Sequence, residues 1–212
     1  MLPHSTFEQL GLFIRPGLLT AEQCRAWRQQ AANAESRPGR IKRDGKALQD
    51  DDARRTQLAH MTDEDNARFD AQVEAVRPEL EAHFDMALGP LREYRCLVYG
   101  VGDFFVPHYD VEDVEGEAVI DLQRRVVTLL VFLNAPGDRE APYDGGDLAF
   151  YGLLDVPDTK QSGFSLKAEQ GMLVAFRPDI LHGVSPVLSG NRYNLVGWFH
   201  EQPSNRVTPH DP

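Results

Sequence analysis

From residue 94 onward the chain is a series of short β-rich runs, at 94–101, 126–133, 148–151, 172–176 and 194–199, with turn signals between them. Short strands in this arrangement bury their apolar faces only by stacking in a sandwich or closing into a barrel. Upstream the periodicity is helical. Thr20 followed by Gln23 predicts a capping box that opens a helix through about Ala34, with Leu19 available as a staple and Cys24, Trp27 and Ala31 on the packing face. Phe69, Val73, Val76, Leu80 and Phe84 recur at three- and four-residue spacing, which predicts helix over 63–86. Pro78 should kink or split it, and Gly89 and Pro90 should supply the stop. The expected class is therefore mainly β with N-terminal helices (α+β).

At 212 residues, with no convincing linker or repeat, the chain reads as a single domain over 1–212. Its helical part spans about 18–88 and its β core about 92–200. The formal charge of -11 disfavours a nucleic-acid partner, since phosphate binding relies on Lys and Arg, although a local basic groove is compatible with it. Cys24 and Cys96 offer neither a disulfide framework nor thiolate metal spacing, and are expected as free thiols in a reducing compartment. MLPHSTFEQ lacks the basic and apolar regions of a leader, and no apolar run approaches bilayer length. A soluble cytoplasmic protein with no membrane partner is the expectation.

The second half carries the chemistry. In PHYD, alternation along an extended strand lets His108 and Asp110 project together while Tyr109 points away. They form one edge of a triangle that His182, in ILHGVSP, would complete as a 2-His-1-carboxylate set with positions left open on Fe(II). No thiolate is in the set, which argues against blue copper or structural zinc, but zinc or manganese could occupy the same geometry. HxD by itself is a short pattern, and a lone His is more often a hydrogen-bonded core or surface group. Ten residues after His182, Arg192 in GNRYNL presents a planar fork suited to a carboxylate. His4, His60, His83, His200 and His210 fit no such pattern and read as structural or exposed.

The order of landmarks adds weight: YRCLVYGVGDFF, the HYD ligands, RRVVTLLVFLN, GGDLAFY, GMLVAFRPDILHGVSPV and RYNLVGWF. Over residues 11–199 the chain resembles the iron(II)- and 2-oxoglutarate-dependent oxygenases, and within them the prolyl 4-hydroxylase-like group. The resemblance implies a double-stranded β-helix, a jelly-roll, cupin-like core buttressed by helices. It implies Fe(II) held by the catalytic residues His108, Asp110 and His182, with 2-oxoglutarate and O2 as co-substrates. Arg192 would bind the far carboxylate of 2-oxoglutarate, and Tyr99 and Thr128 would line its pocket. Phe132 stands where relatives frequently carry a Tyr that reaches this carboxylate, so either 2-oxoglutarate affinity is lower or another hydroxyl, such as that of Tyr99 or Thr128, replaces it. Asp110 favours hydroxylation over halogenation, which in such proteins requires a small residue there. Trp198 matches a Trp near the site in some relatives, but a large aromatic in a core strand needs no functional explanation.

The implied activity is hydroxylation of an unactivated C–H bond with release of succinate and CO2. A prolyl or other peptidyl residue is the first choice of target, and a free amino acid or specialised metabolite the second. A non-catalytic module that senses metal or 2-oxoglutarate is the reading from another class. RYNLVGW superficially matches the RxNxTxR signature of nucleic-acid demethylases at Arg192 and Asn194, but departs from it at Val196 and Trp198. Two segments bear on the substrate, whether peptide, protein or small molecule. The acidic loop at 111–121 would favour a substrate with a basic group, unless it is merely solvated. The basic stretch Arg40, Lys42, Arg43 and Lys46 reads as a solvated loop, in a region that lies beside the entrance of the site in the resembling family.

Overall fold

The computed structural model describes residues 4–43, 46–111, 125–153 and 163–202. Helix α1 (His4–Gln9) and strand β1 (Phe13–Arg15) precede α2 (Ala21–Asn33). Short strands β2 (Ser36–Pro38), β3 (Ile41–Arg43), β4 (Lys46–Leu48), β5 (Arg54–Arg55) and β6 (Gln57–Ala59) lead to α3 (Asp63–Glu74) and α4 (Arg77–Phe84). Strands β7 (Leu88–Tyr99), β8 (Phe104–His108), β9 (Arg125–Phe132), β10 (Asp144–Gly145) and β11 (Leu148–Phe150) come next. The last are β12 (Phe164–Leu166), β13 (Leu173–Phe176), β14 (His182–Val184), β15 (Val187–Ser189) and β16 (Arg192–Glu201).

A seven-stranded antiparallel sheet runs β1-β13-β9-β16-β7-β6-β2, and a five-stranded one runs β12-β11-β14-β8-β5. Alternation along β16 divides the core in two. Leu195 and Phe199 point outward to Cys24, Trp27, Phe69, Val73 and Leu80 of the helices. Val196 and Trp198 point inward, where Leu97, Leu130, Phe150 and Val184 pack between the two sheets. The helices therefore buttress one face of the large sheet while the small sheet closes over the other. Among the described residues no helix is long and apolar enough to cross a membrane.

The expected capping box is present: Gln23 N–H donates to Thr20 Oγ1, Thr20 N–H donates to Gln23 Oε1, and Cys24, Trp27 and Ala31 are buried. The 63–86 helix is split, as Pro78 requires, and the break falls just ahead of it. Proline lacks the N–H that a continuing helix needs and fits the first turn of a new one, so α4 starts at Arg77 with Pro78 in that turn. The expected stop is a different matter. Helix α4 ends at Asp85, which adopts φ 51, while Gly89 and Pro90 are the second and third residues of β7. A Cβ on Gly89 would lie 2.4 Å from the His200 carbonyl oxygen, so this glycine marks close strand approach rather than a terminus.

Strand β7 also carries a bulge. Val196 faces Arg95 but Trp198 faces Arg92, so β7 has one residue more than β16 between these pairs. Glu93 takes up the irregularity at φ 57, and its carboxylate meets Arg125 of β9.

Candidate active site

Strand β8 delivers His108 and ends there; β14 delivers His182 directly opposite it in register. Asp110 lies just beyond β8 rather than within it, its amide donating to the Pro178 carbonyl at 2.9 Å. The expected convergence is nonetheless present, since one ligand atom from each of His108, Asp110 and His182 lies within 4.8 Å of the others. His108 Nε2 is 3.7 Å from Asp110 Oδ1, and His182 Nε2 is 3.7 Å from Asp110 Oδ2. Tyr109 is 55% exposed.

Each imidazole is oriented by the carbonyl two residues before it. His108 Nδ1 donates to Val106 O at 2.9 Å and His182 Nδ1 donates to Ile180 O at 2.9 Å, which turns both Nε2 atoms toward Asp110. The His108 ring stacks on Phe105 at 3.5 Å, and Phe176 meets His182 edge-on at 4.6 Å. Burial and the neighbouring His182 push His108 down to about 3, so the ring is neutral. Burial works in the opposite direction on Asp110, but the two histidines, Arg125 and the Thr128 hydroxyl outweigh it and hold the carboxyl ionised, well below the usual range. A neutral imidazole at His108 and an ionised carboxylate at Asp110 are protonation states that suit a divalent ion.

Asp110 is held from behind by a cross-strand pair. Thr128 of β9 and Trp198 of β16 are register partners. Thr128 Oγ1 donates to Asp110 Oδ2 at 2.8 Å, and Trp198 Nε1 donates to the same oxygen at 3.0 Å. The Thr128 hydroxyl proton is thus committed to the carboxylate, and Trp198 is a polar partner of the site as well as core. Behind them, Arg125 donates to the Asp110 carbonyl at 3.0 Å, lies over the Trp198 ring at 4.0 Å and pairs with Glu93 through both ends of its guanidinium.

At the other end of the inner face of β16, Arg192 is fully buried, and its three guanidinium nitrogens have no hydrogen-bond partner among the described residues. It lies over Tyr99, its register partner, at 5.1 Å and over Phe132 at 5.2 Å. Gly146 makes room for it: a Cβ there would be 3.1 Å from Arg192 Cδ. Two residues along, buried Asn194 also has both amide atoms unpartnered. Unpaired buried guanidinium is costly, and the natural way to satisfy its planar fork is a bound carboxylate. The hydroxyl missing at Phe132 has a neighbour that the sequence reading passed over. Burial raises the pKa of Tyr143, and the adjacent Arg192 guanidinium opposes that rise, which places the phenol beside the guanidinium.

A cavity of about 470 Å³ includes His108, Asp110, His182, Tyr99 and Thr128 in its lining. Five arginines also line it: Arg37, Arg40, Arg54, Arg95 and Arg125. The acidic loop at 111–121 lies, apart from Val111, outside the described residues. Arg125 opens β9 and Asn194 stands near the start of β16, polar residues beside apolar runs, a signal that was available in the sequence. Tyr143 comes from a segment with no periodicity and gave none.

Comparison with known proteins agrees with this geometry. The profile of the 2OG-Fe(II) oxygenase superfamily matches residues 94–200, which contain all three ligand candidates and Arg192, and the chain belongs to that superfamily. A PKHD-type hydroxylase of Maricaulis maris is 32% identical over 139 residues, 64% of this chain and 56% of that protein, so the match spans little more than half the relative's length. A prolyl-4-hydroxylase of Pseudomonas putida superposes with TM-score 0.64 at 22% identity, covering 91% of this chain and 93% of that one. A prolyl hydroxylase of Trichoplax adhaerens, solved with a hypoxia inducible factor peptide fragment, gives TM-score 0.67 at 18% identity over 92% and 86%. The fold they share with this chain is the double-stranded β-helix. The family's cofactor set, Fe(II) with 2-oxoglutarate and O2, suits the donors present: two imidazoles and a carboxylate for the metal, and an orphaned buried guanidinium for a dicarboxylate.

Proposed function

We propose that this protein is an Fe(II)- and 2-oxoglutarate-dependent dioxygenase that hydroxylates an unactivated C–H bond. The single observation that carries the reading is the pairing of the His108, Asp110 and His182 cluster with an unpartnered, fully buried Arg192 on the same inner face. Bound iron supplies the redox chemistry, in which 2-oxoglutarate, O2 and the substrate C–H yield succinate, CO2 and the alcohol.

The chain's own residues do the positioning. His108, Asp110 and His182 hold the metal and leave part of its coordination sphere open, and Asp110 fills a place that a halide would otherwise need. Arg192, with Tyr99 and Tyr143 around it, fixes the far carboxylate of 2-oxoglutarate and so its orientation at the metal. Thr128 and Trp198 keep the Asp110 carboxylate in one rotamer. No side chain needs to act as a general acid or base. A peptidyl target, prolyl in the first instance, is supported by the names of the similar proteins and by the peptide carried in one of those structures. A free amino acid or specialised metabolite is the second choice.

Calorimetric titration of 2-oxoglutarate into the Mn(II)-loaded protein under nitrogen tests the reading. We expect binding that requires the metal and weakens by about a hundredfold or more in Arg192→Ala, the loss of a bidentate charged contact. Equal affinity with and without metal, or in Arg192→Ala, would overturn the assignment.

A further inference from the structure

The cavity is far more basic than a site for Fe(II) and 2-oxoglutarate requires. Five arginines line it, and among its described lining residues Asp110 is the only carboxylate. A dicarboxylate and a divalent ion cancel one another, so loading the site leaves the arginine charge in place. Two of them, Arg95 and Arg125, share one carboxylate, Glu93. Arg37, Arg40 and Arg54 have no carboxylate within ion-pair distance among the described residues, and lysines or arginines seldom line a cleft uncompensated without an anion to meet them.

Arg54 shows that the arrangement is built. It is 95% buried by its 5% exposure, yet its Nε has no hydrogen-bond partner. One terminal nitrogen donates to Arg40 O at 3.2 Å, and the guanidinium lies 4.5 Å over the Phe105 ring that stacks on His108. Gly39 leaves the space, because a Cβ there would be 2.8 Å from Arg54 Nε. The side chain is thus wedged one ring away from a metal ligand, with Arg37 and Arg40 exposed on the rim outside it.

We propose that the substrate is anionic, with a carboxylate or phosphate group near the oxidised carbon that is held by Arg54 together with Arg37 and Arg40. This rests on the oxygenase reading above and names its substrate class. It runs opposite to the basic substrate that the acidic 111–121 segment suggested. Guanidinium forks bind such oxyanions in two-point contacts and repel a cationic side chain, so the same residues select for one charge and against the other.

The test titrates acetyl-Pro-Asp-amide, its phosphoserine, Asn and Lys counterparts, and free L-aspartate into the Mn(II)- and 2-oxoglutarate-loaded protein. Loading is measured first, so a failure of the oxygenase reading is seen before any probe is added. The arginines do not depend on the metal, and the same series is run on the metal-free protein. An acidic probe should bind about tenfold or more tightly than the Asn dipeptide, with the Lys dipeptide weakest. That preference should vanish in Arg37→Glu/Arg40→Glu, whose exposed positions leave the fold intact, as an unchanged melting temperature would verify. The relative affinity of the Asp dipeptide, the phosphoserine dipeptide and free L-aspartate identifies which source of oxyanion is used. Equal binding of Asp and Asn, tighter binding of Lys, no binding of any acidic probe at millimolar concentration, or a preference that survives the double reversal would overturn the proposal.

Discussion

At the scale of single residues, the site is defined less by its three candidate ligands than by what stands behind them. Trp198 illustrates this. Read from the sequence it needs only a packing role, yet its indole N–H shares Asp110 Oδ2 with the Thr128 hydroxyl. Trp198→Phe keeps an aromatic ring in the core and removes that donor, so Mn(II) affinity should fall about tenfold to a hundredfold, the usual effect of losing an outer partner of a ligand. Titration followed by the electron paramagnetic resonance of free Mn(II) measures it, and unchanged affinity would show the hydrogen bond to be idle. Asn194 makes a prediction of the opposite sign for stability. Its two unpartnered amide atoms are buried, so Asn194→Val should stabilise the ligand-free protein by about 1–2 kcal/mol in urea unfolding. The pairing of His108 with Asp110 was legible from their two-residue spacing, although Asp110 falls just past the end of β8. The partners of Asp110 were not, since Thr128 and Trp198 lie far from it in sequence and meet only through the register of β9 with β16.

Among the elements, β7 departs most from what its residues suggest. Gly89 and Pro90 carry the signature of a terminus, but the space they occupy is decided by β16, whose carbonyls approach too closely for a side chain. Capping in α2 was readable because Thr20 and Gln23 complete it between themselves, whereas a bulge exists only relative to a partner strand. The bulge at Glu93 has a use: it brings one carboxylate to Arg125, Arg95 and His200. Although burial opposes ionisation, these neighbours hold the Glu93 pKa below the ordinary carboxylate value. Its contribution to stability is therefore fully present above the unfolded-state value of about 4.3 and is lost as pH falls through the lower folded-state value. Glu93→Gln should cost about 2–3 kcal/mol at neutral pH, somewhat less than a fully buried pair because Glu93 is partly exposed. The gap between wild type and variant should close as the pH is lowered through that window. A gap in urea-derived stability that is constant down to pH 3 would refute the assignment.

For the whole molecule, overall charge and local charge part company. A chain with a net charge of -11 disfavours a phosphate-rich polymer, yet its cavity is lined by five arginines. Composition sums over the surface, and only the fold gathers Arg37, Arg40 and Arg54 from β2, β5 and the turn between β2 and β3 around β8 and β14. The architecture was readable from strand periodicity and family landmarks because both rest on burial, which the pattern of apolar residues records directly. The proposed substrate selection rests on a few polar groups from irregular segments, which leave no periodic trace. The proposed activity requires the joint action of the candidate metal ligands and Arg192, and succinate formation reports both. Protein reconstituted with Fe(II) without oxygen, then exposed to air with 2-oxoglutarate, should release succinate in a metal-dependent way. That release should disappear in His182→Ala and require a much higher 2-oxoglutarate concentration in Arg192→Ala. Succinate formed equally well by His182→Ala, or none formed by wild type with metal and 2-oxoglutarate both bound and the acidic peptides and amino acids supplied, would contradict it.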